Sequence, residues 1–235
     1  IVEKPLESLM TNIRGTETVI EKAHRYDKRL LVMSTSEIYG KNTSDSLSEE
    51  DNRVLGSPLK SRWSYSEAKA IDEILAYTYW REKGLETVII RLFNTVGPRQ
   101  TGSYGMVIPR FVGQALRNEP ITIFGDGNQT RCFCHVGDVV EGLVALSEHP
   151  EAFGKVFNLG GGEEVSIREL AERVIELAGS QSSLEFIPYD TAYEAGFEDM
   201  ERRVPNTTRA MQLVGFEPSA SLDDIIRSVI DDQQA

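Results

Sequence analysis

Apolar residues at the start of the chain recur at helical spacing. Leu6, Leu9, Met10, Ile13, Ile20 and Ala23, with Thr16 between them, share one face of a helix over about 5–25. The period then changes. LLVMSTS at 30–36 is apolar without alternation until its hydroxyl-bearing end, which predicts a strand buried on both faces. A second helix runs from Tyr65 to Lys83 and stops at Gly84 in the C′ position, and TVIIRLFN at 87–94 is a second buried strand. Strand, helix, strand with continuous apolar strands predicts a parallel α/β sheet. The pattern resumes with a helix at 137–149 and a strand at 155–160. Ser166 and Glu169 form a capping box for a helix over 167–178 that Gly179 ends, and Ser221 with Asp224 repeats the signature before the last helix. LEFIPY at 184–189 reads as a short strand. The polar stretch KNTSDSLSEEDNRVLGSPLKSR at 41–62 is too long for a simple connector and is a candidate site element. Residues 98–135 depart from the alternation and read as an inserted lobe.

Composition narrows the function classes. The chain has 235 residues, 40% hydrophobic and 26% charged, which is ordinary for a folded protein. It contains no apolar run long enough to span a bilayer and opens with no secretory pattern. A net charge of -12 argues against nucleic acid or an anionic membrane as partner, so any phosphate must be met by a few local arginines. Cys132 and Cys134 would share a strand face, opposite His135. That is poor disulfide geometry and no zinc spacing, so inert thiols in a reducing compartment, the cytoplasm, and no metal are expected.

The chemistry gathers at predicted strand ends. Tyr65 and Lys69 are four residues apart on one helix, so phenol and ammonium share a face. A nearby cation favours the phenolate, a usable base for a hydroxyl proton. One strand ends in Ser34-Thr35-Ser36-Glu37 and the next in Arg91-Leu92-Phe93-Asn94-Thr95-Val96-Gly97-Pro98-Arg99, at the edge where open α/β sheets bind ligands. YxxxK alone is usually surface decoration, and Arg131 or Arg203 alone could be a surface ion pair. NLGGGEE at 158–164 follows a strand but lies too late in the chain for a phosphate loop. No G-x-G-x-x-G turn occurs.

STSEIYG, YSEAK, RLFNTVGPR, YGMVIPRF and DGNQTRCFCHVGDVVEGL, in this order, resemble the extended short-chain dehydrogenases, the NAD-dependent sugar-nucleotide epimerase/dehydratase/decarboxylase family. The resemblance covers nearly the whole chain. It implies a doubly wound parallel Rossmann-type sheet with a smaller C-terminal substrate-binding lobe. The NAD-binding part would be residues 1–97 with 137–160, and the nucleotide-sugar lobe 98–136 with 161–235. Catalytic roles fall on Tyr65 as base, on Lys69, which holds the nicotinamide ribose and lowers the tyrosine pKa, and on Thr35, Ser36, Glu37 and Arg203. Ser34, Tyr65, Lys69, Phe93 and Asn94 would face the cofactor. Asn94, Arg131 and Arg203 would meet the diphosphate or a sugar acid, and Val107, Arg110 and Ile123 the nucleobase region. Phe124 and Tyr104 read as packing residues rather than base-stacking ones.

Against the family pattern, the chain starts near the fourth helix. On the order of 80 to 100 residues of the half-domain that holds most of the NAD would precede it, and the chain alone is expected to bind NAD weakly. Ser36-Glu37 after Thr35 resembles UDP-glucuronate decarboxylases, as do Lys60-Ser61-Arg62-Trp63 and EDMERRVP. The reaction implied is oxidative decarboxylation of UDP-glucuronate through a 4-keto sugar, with the Glu37 charge beside the C5 carboxylate. A UDP-sugar 4-epimerase, a dTDP-glucose 4,6-dehydratase and a non-catalytic sugar-nucleotide-binding fragment are the alternatives. A homodimer through the helices at 5–25 and 65–83 is also implied.

Overall fold

The computed structural model describes residues 5–102, 106–192 and 200–235. The chain divides into two units. The first comprises residues 1–93, 140–159 and 205–217, and the second 94–139, 160–204 and 218–235. The sequence places all of 161–235 in one lobe. Instead 205–217 returns to the first unit, where its helix packs against a strand of the sheet.

The first unit is built on three parallel strands, β1 (Leu30–Thr35), β2 (Thr87–Leu92) and β7 (Lys155–Leu159), in the order β1-β2-β7. Register places Thr35 beside Leu92 and Leu92 beside Leu159, so all three strands end level. Helix α1 (Pro5–Arg25) packs on α2 (Ser64–Lys83), and α2 packs on β1 and β2. Their shared core is Ile20, Ala23, Val32, Ala76, Leu85 and Ile89. β2 is buried almost throughout. β1 is only half-buried, because it forms one edge of the sheet among the described residues, where the sequence predicts burial on both faces. Gly84 ends α2 in the left-handed conformation, as the sequence predicts, with its N–H bonded to the Trp80 carbonyl. The strand at 30–36 stops at Thr35, and residues Ser36–Tyr39 turn as a short 3-10 helix capped by Thr35.

The second unit has its own core. Helices α3 (Val107–Leu116), α5 (Ile167–Ala178) and α8 (Leu222–Gln234) enclose Ile108, Phe111, Val112, Leu170, Val174, Ile226 and Val229. Both predicted capping boxes, Ser166/Glu169 and Ser221/Asp224, are formed. Short strands complete it. β3 (Thr95–Val96) pairs with β6 (Cys134–His135), and β4 (Ile121–Phe124) with β9 (Leu184–Ile187). β5 (Thr130–Cys132) lies between β8 (Glu164–Ser166) and β10 (Arg202–Arg203). Helix α4 (Val136–Glu148) carries the chain from the second unit to the first, and α7 (Thr208–Val214) covers β7. Among the described residues no helix is long and apolar enough to cross a membrane.

Candidate active site

Position within the sheet sets the first group of polar residues. Ser34, Arg91 and Asn158 are register neighbours on β1, β2 and β7, forming a polar row one residue before the strand ends. All three are buried, and each is fully engaged. Glu73 of α2 accepts from Ser34 Oγ at 2.5 Å and from Arg91 Nε and Nη2 at 2.9 and 2.8 Å. Arg91 Nη1 donates to the Tyr39 hydroxyl at 3.0 Å and to the Glu49 carbonyl at 2.9 Å. Tyr39 donates to Asn158 Oδ1 at 2.7 Å, and Asn158 Nδ2 reaches the carbonyls of Leu47 and Asn206. The row therefore binds helix α2 and the loop at 36–50 to the ends of the strands. Burial pushes the Tyr39 phenol up to about 12 against the opposing pull of Arg91, so it stays a proton donor.

A second group of polar residues gathers at the end of β1. The first residues of α2 bring Tyr65 to the strand end, where its phenol faces the Thr35 side chain. Thr35 Oγ1 also accepts from the Glu37 N–H at 3.2 Å. Glu37 pairs with Arg62, three residues before Tyr65, and that guanidinium lies 5.4 Å from the Trp63 ring centroid. Lys69, one turn after Tyr65, donates to Asp72 Oδ2 at 3.2 Å. The Tyr65 phenol is raised above its ordinary value. Burial is the main cause, the charges of Glu37 and Asp72 add to it, and the Thr35 side chain opposes them. This reverses the direction the sequence predicts: the Lys69 ammonium is engaged by a carboxylate, and two anions act on the phenol.

Several expected residues have other partners. Ser34, expected at the cofactor, gives its hydroxyl to Glu73. Ser36 is buried in the turn after β1. Phe93 belongs to a cluster with Ile38, Tyr39, Leu47 and Ala70, so its ring is core. Ile123 is fully buried in the second core and offers no side chain to a substrate. Glu37, expected to present an uncompensated charge, carries Arg62 as its counter-ion. Glu73, Asp72 and Arg62 were absent from the sequence-based site; the signal for the two acids is their helical spacing from Tyr65, which alone does not tell a buried carboxylate from a solvated one, and Arg62 lies in the 3-10 turn before α2.

In the second unit a separate cluster forms. Arg131 on β5 and Arg203 on β10 are register neighbours, both buried. Arg203 Nη2 donates to Asn94 Oδ1 at 2.9 Å, and Asn94 Nδ2 donates to the Cys132 carbonyl at 2.8 Å. Arg131 Nη1 donates to the Thr130 carbonyl at 2.8 Å. The adjacent Arg202 points the other way and forks onto Glu164 with two bonds of 2.7 Å. Two buried guanidinium groups side by side suit a diphosphate. Arg110, on α3 with Val107, donates to the Thr122 carbonyl at 3.1 Å, and its guanidinium lies 4.4 Å from the Phe124 centroid. Phe124 is thereby a stacking partner for an arginine. Tyr104 and the start of EDMERRVP lie outside the described residues.

Packing requires one glycine of the run at 160–162. A Cβ at Gly161 would sit 1.9 Å from the Phe133 carbonyl oxygen, so the residue is small because two backbones meet. Cys132 and Cys134 are free and buried.

The chain matches the NAD dependent epimerase/dehydratase family over residues 2–160. It is 37% identical over 230 residues to a UDP-N-acetyl-alpha-D-glucosaminuronate decarboxylase of Bacillus cytotoxicus, covering 97% of this chain and 71% of that protein. With UDP-glucuronic acid decarboxylase 1 of Arabidopsis thaliana it shares 38% over 231 residues, 97% of this chain but 50% of the relative. Its fold superposes on UDP-glucuronic acid 4-epimerase from Bacillus cereus, solved with UDP-glucuronic acid and NAD. The TM-score is 0.84 at 28% identity, over 96% of this chain and 68% of that one. The three-stranded parallel sheet is thus the Rossmann-type sheet of such enzymes, and the chain belongs to the NAD dependent epimerase/dehydratase family.

Proposed function

We propose that this chain carries the catalytic centre of a decarboxylase acting on a UDP-linked uronic acid through a 4-keto sugar. The observation that carries the reading is the group Thr35, Glu37, Arg62 and Tyr65 at one strand end, in a chain whose relatives include two uronate decarboxylases. Tyr65 takes the proton of the sugar 4-hydroxyl while the Thr35 hydroxyl holds that oxygen. The residues present fit the nicotinamide-ribose end of NAD: the Lys69 ammonium has Asp72 as its protein partner and retains donors for ribose hydroxyls. When bound, NAD would take the hydride from C4 and return it to the C4 ketone after carbon dioxide has left, so that the overall reaction is redox-neutral. Once C4 is a ketone, the C5–C6 bond breaks, carbon dioxide leaves, and the electron pair passes into the carbonyl as an enolate that Tyr65 stabilises by hydrogen bonding. C5 then takes up a proton. The Arg62–Glu37 pair presents a neutralised group to a substrate carboxylate, which removes the repulsion that a bare Glu37 would exert. Arg131 and Arg203 would hold the diphosphate.

The test is product analysis. The enzyme containing this chain, given UDP-glucuronate or UDP-N-acetylglucosaminuronate, should yield a UDP-pentose lighter by the mass of carbon dioxide. A product of unchanged mass inverted at C4 would refute decarboxylation and favour an epimerase, the second reading that the Bacillus cereus structure supports. Self-association through α1 and α2 belongs to the same proposal. These helices pack together yet leave Leu6, Val19, Ile71, Ile74 and Tyr77 exposed, more apolar surface than a solvated helix pair needs. A cytoplasmic setting is consistent with two free thiols.

A further inference from the structure

Tyr65, Lys69 and Asp72 lie at positions i, i+4 and i+7 of α2 and therefore share one helix face. The Asp72 side chain is completely buried. Its Oδ2 accepts from Lys69, whereas Oδ1 has no hydrogen-bond partner in the protein. A buried carboxylate with half its accepting capacity unused is costly to the fold, and an asparagine or an apolar side chain of similar volume would avoid the cost. Structural need alone does not account for an acid at this position.

We propose that Asp72 is a positioning residue that sets the acid–base point of Tyr65 by holding the Lys69 ammonium. The inference rests on Tyr65 being the base, and it holds for any substrate of the family. Asp72 engages the one lysine on the Tyr65 face and places its own anion there as well. Both effects favour the protonated phenol. The groups that face this line can be named from each element packed on it. Lys69 and Glu73 lie on α2, Thr16 faces Asp72 from α1, and Thr35 and Glu37, the latter with Arg62, face Tyr65 from the end of β1. Burial raises the Asp72 carboxyl, and Lys69 and Thr16 draw it back toward the charged form. Asp72 keeps the phenol a donor until another hydroxyl engages the ammonium.

Two measurements test this. The first titrates tyrosinate by near-ultraviolet absorbance in this chain and in Asp72→Asn, each against a partner that also carries Tyr65→Phe, so that the difference isolates Tyr65. Removal of the anion should lower the Tyr65 titration by about one unit, about tenfold in phenolate at a given pH. The second follows kcat/KM against pH in the enzyme containing the chain, where the acid limb should move to lower pH by a similar amount. Asp72→Leu, which removes the unsatisfied carboxylate from the interior, gives the same readout should the asparagine variant fold poorly. A Tyr65 titration unchanged in both variants would overturn the proposal, as would an equal loss of rate at every pH. The titration requires no substrate, so a wrong choice of reaction would leave it informative.

Discussion

Replacing Glu73 with alanine removes the carboxylate that receives two arginine donors and a serine hydroxyl. Arg91 would then remain buried, with Tyr39 and the Glu49 carbonyl as neighbours but without a counter-charge. Breaking a buried pair from one side costs about 3–5 kcal/mol, because the surviving ion is left uncompensated. The geometry supports the upper part of that range, since all three bonds are 2.9 Å or shorter and both side chains are about nine-tenths buried. For a chain of this size each kcal/mol moves the midpoint by roughly 2–4 °C, so the variant should melt roughly 6–20 °C lower. The double variant Glu73→Leu, Arg91→Leu should recover much of that loss, since a packed apolar pair replaces the ions. The assay is thermal or urea unfolding of the parent, both single variants and the double variant. An alanine variant within about 1 kcal/mol of the parent would refute the claim that this pair clamps α2 to the sheet, placing it with weak surface pairs instead.

Gly161→Ala should destabilise the second unit by about 1–3 kcal/mol, because its methyl meets the Phe133 backbone at 1.9 Å and one of the two segments must shift; an unfolding midpoint equal to the parent's would show that the loop yields freely. Burial pushes the Cys132 and Cys134 thiols up to about 12, so a thiol-specific disulfide reagent at pH 8 should label neither until the protein is unfolded, and labelling of the native chain would show that the β5–β6 region opens.

Local rules carried the sequence reading a long way. The helix face from Leu6 to Ala23, the stop at Gly84, both capping boxes and the strands at 87–94 and 155–160 depend on residues within a few positions of one another. What escaped depends on register. Ser34, Arg91 and Asn158 meet only because three distant segments align level, and no spacing along the chain announces it. Glu73 and Asp72 look like ordinary charges on a helix until α1 and the sheet cover them. By family position Ile123 resembles a substrate contact and Phe93 a cofactor contact, yet each lies inside a core. The direction of the Tyr65 shift was also missed, since the attraction of Lys69 could be read from YxxxK, whereas the burial and the two anions could not.

The first unit contains α1, β1, α2 and β2, but part of it is made of residues 205–217, more than a hundred positions later in the chain. During synthesis β1, α2 and β2 emerge early, whereas Asn158, which completes the polar row, and Asn206, which accepts from it, emerge much later. Until then Arg91 and Tyr39 have no third strand beside them, and β7 has no α7 to cover it. A nascent chain paused before residue 205 would therefore expose the Phe157 side of its sheet, a surface for holding factors to cover until α7 emerges.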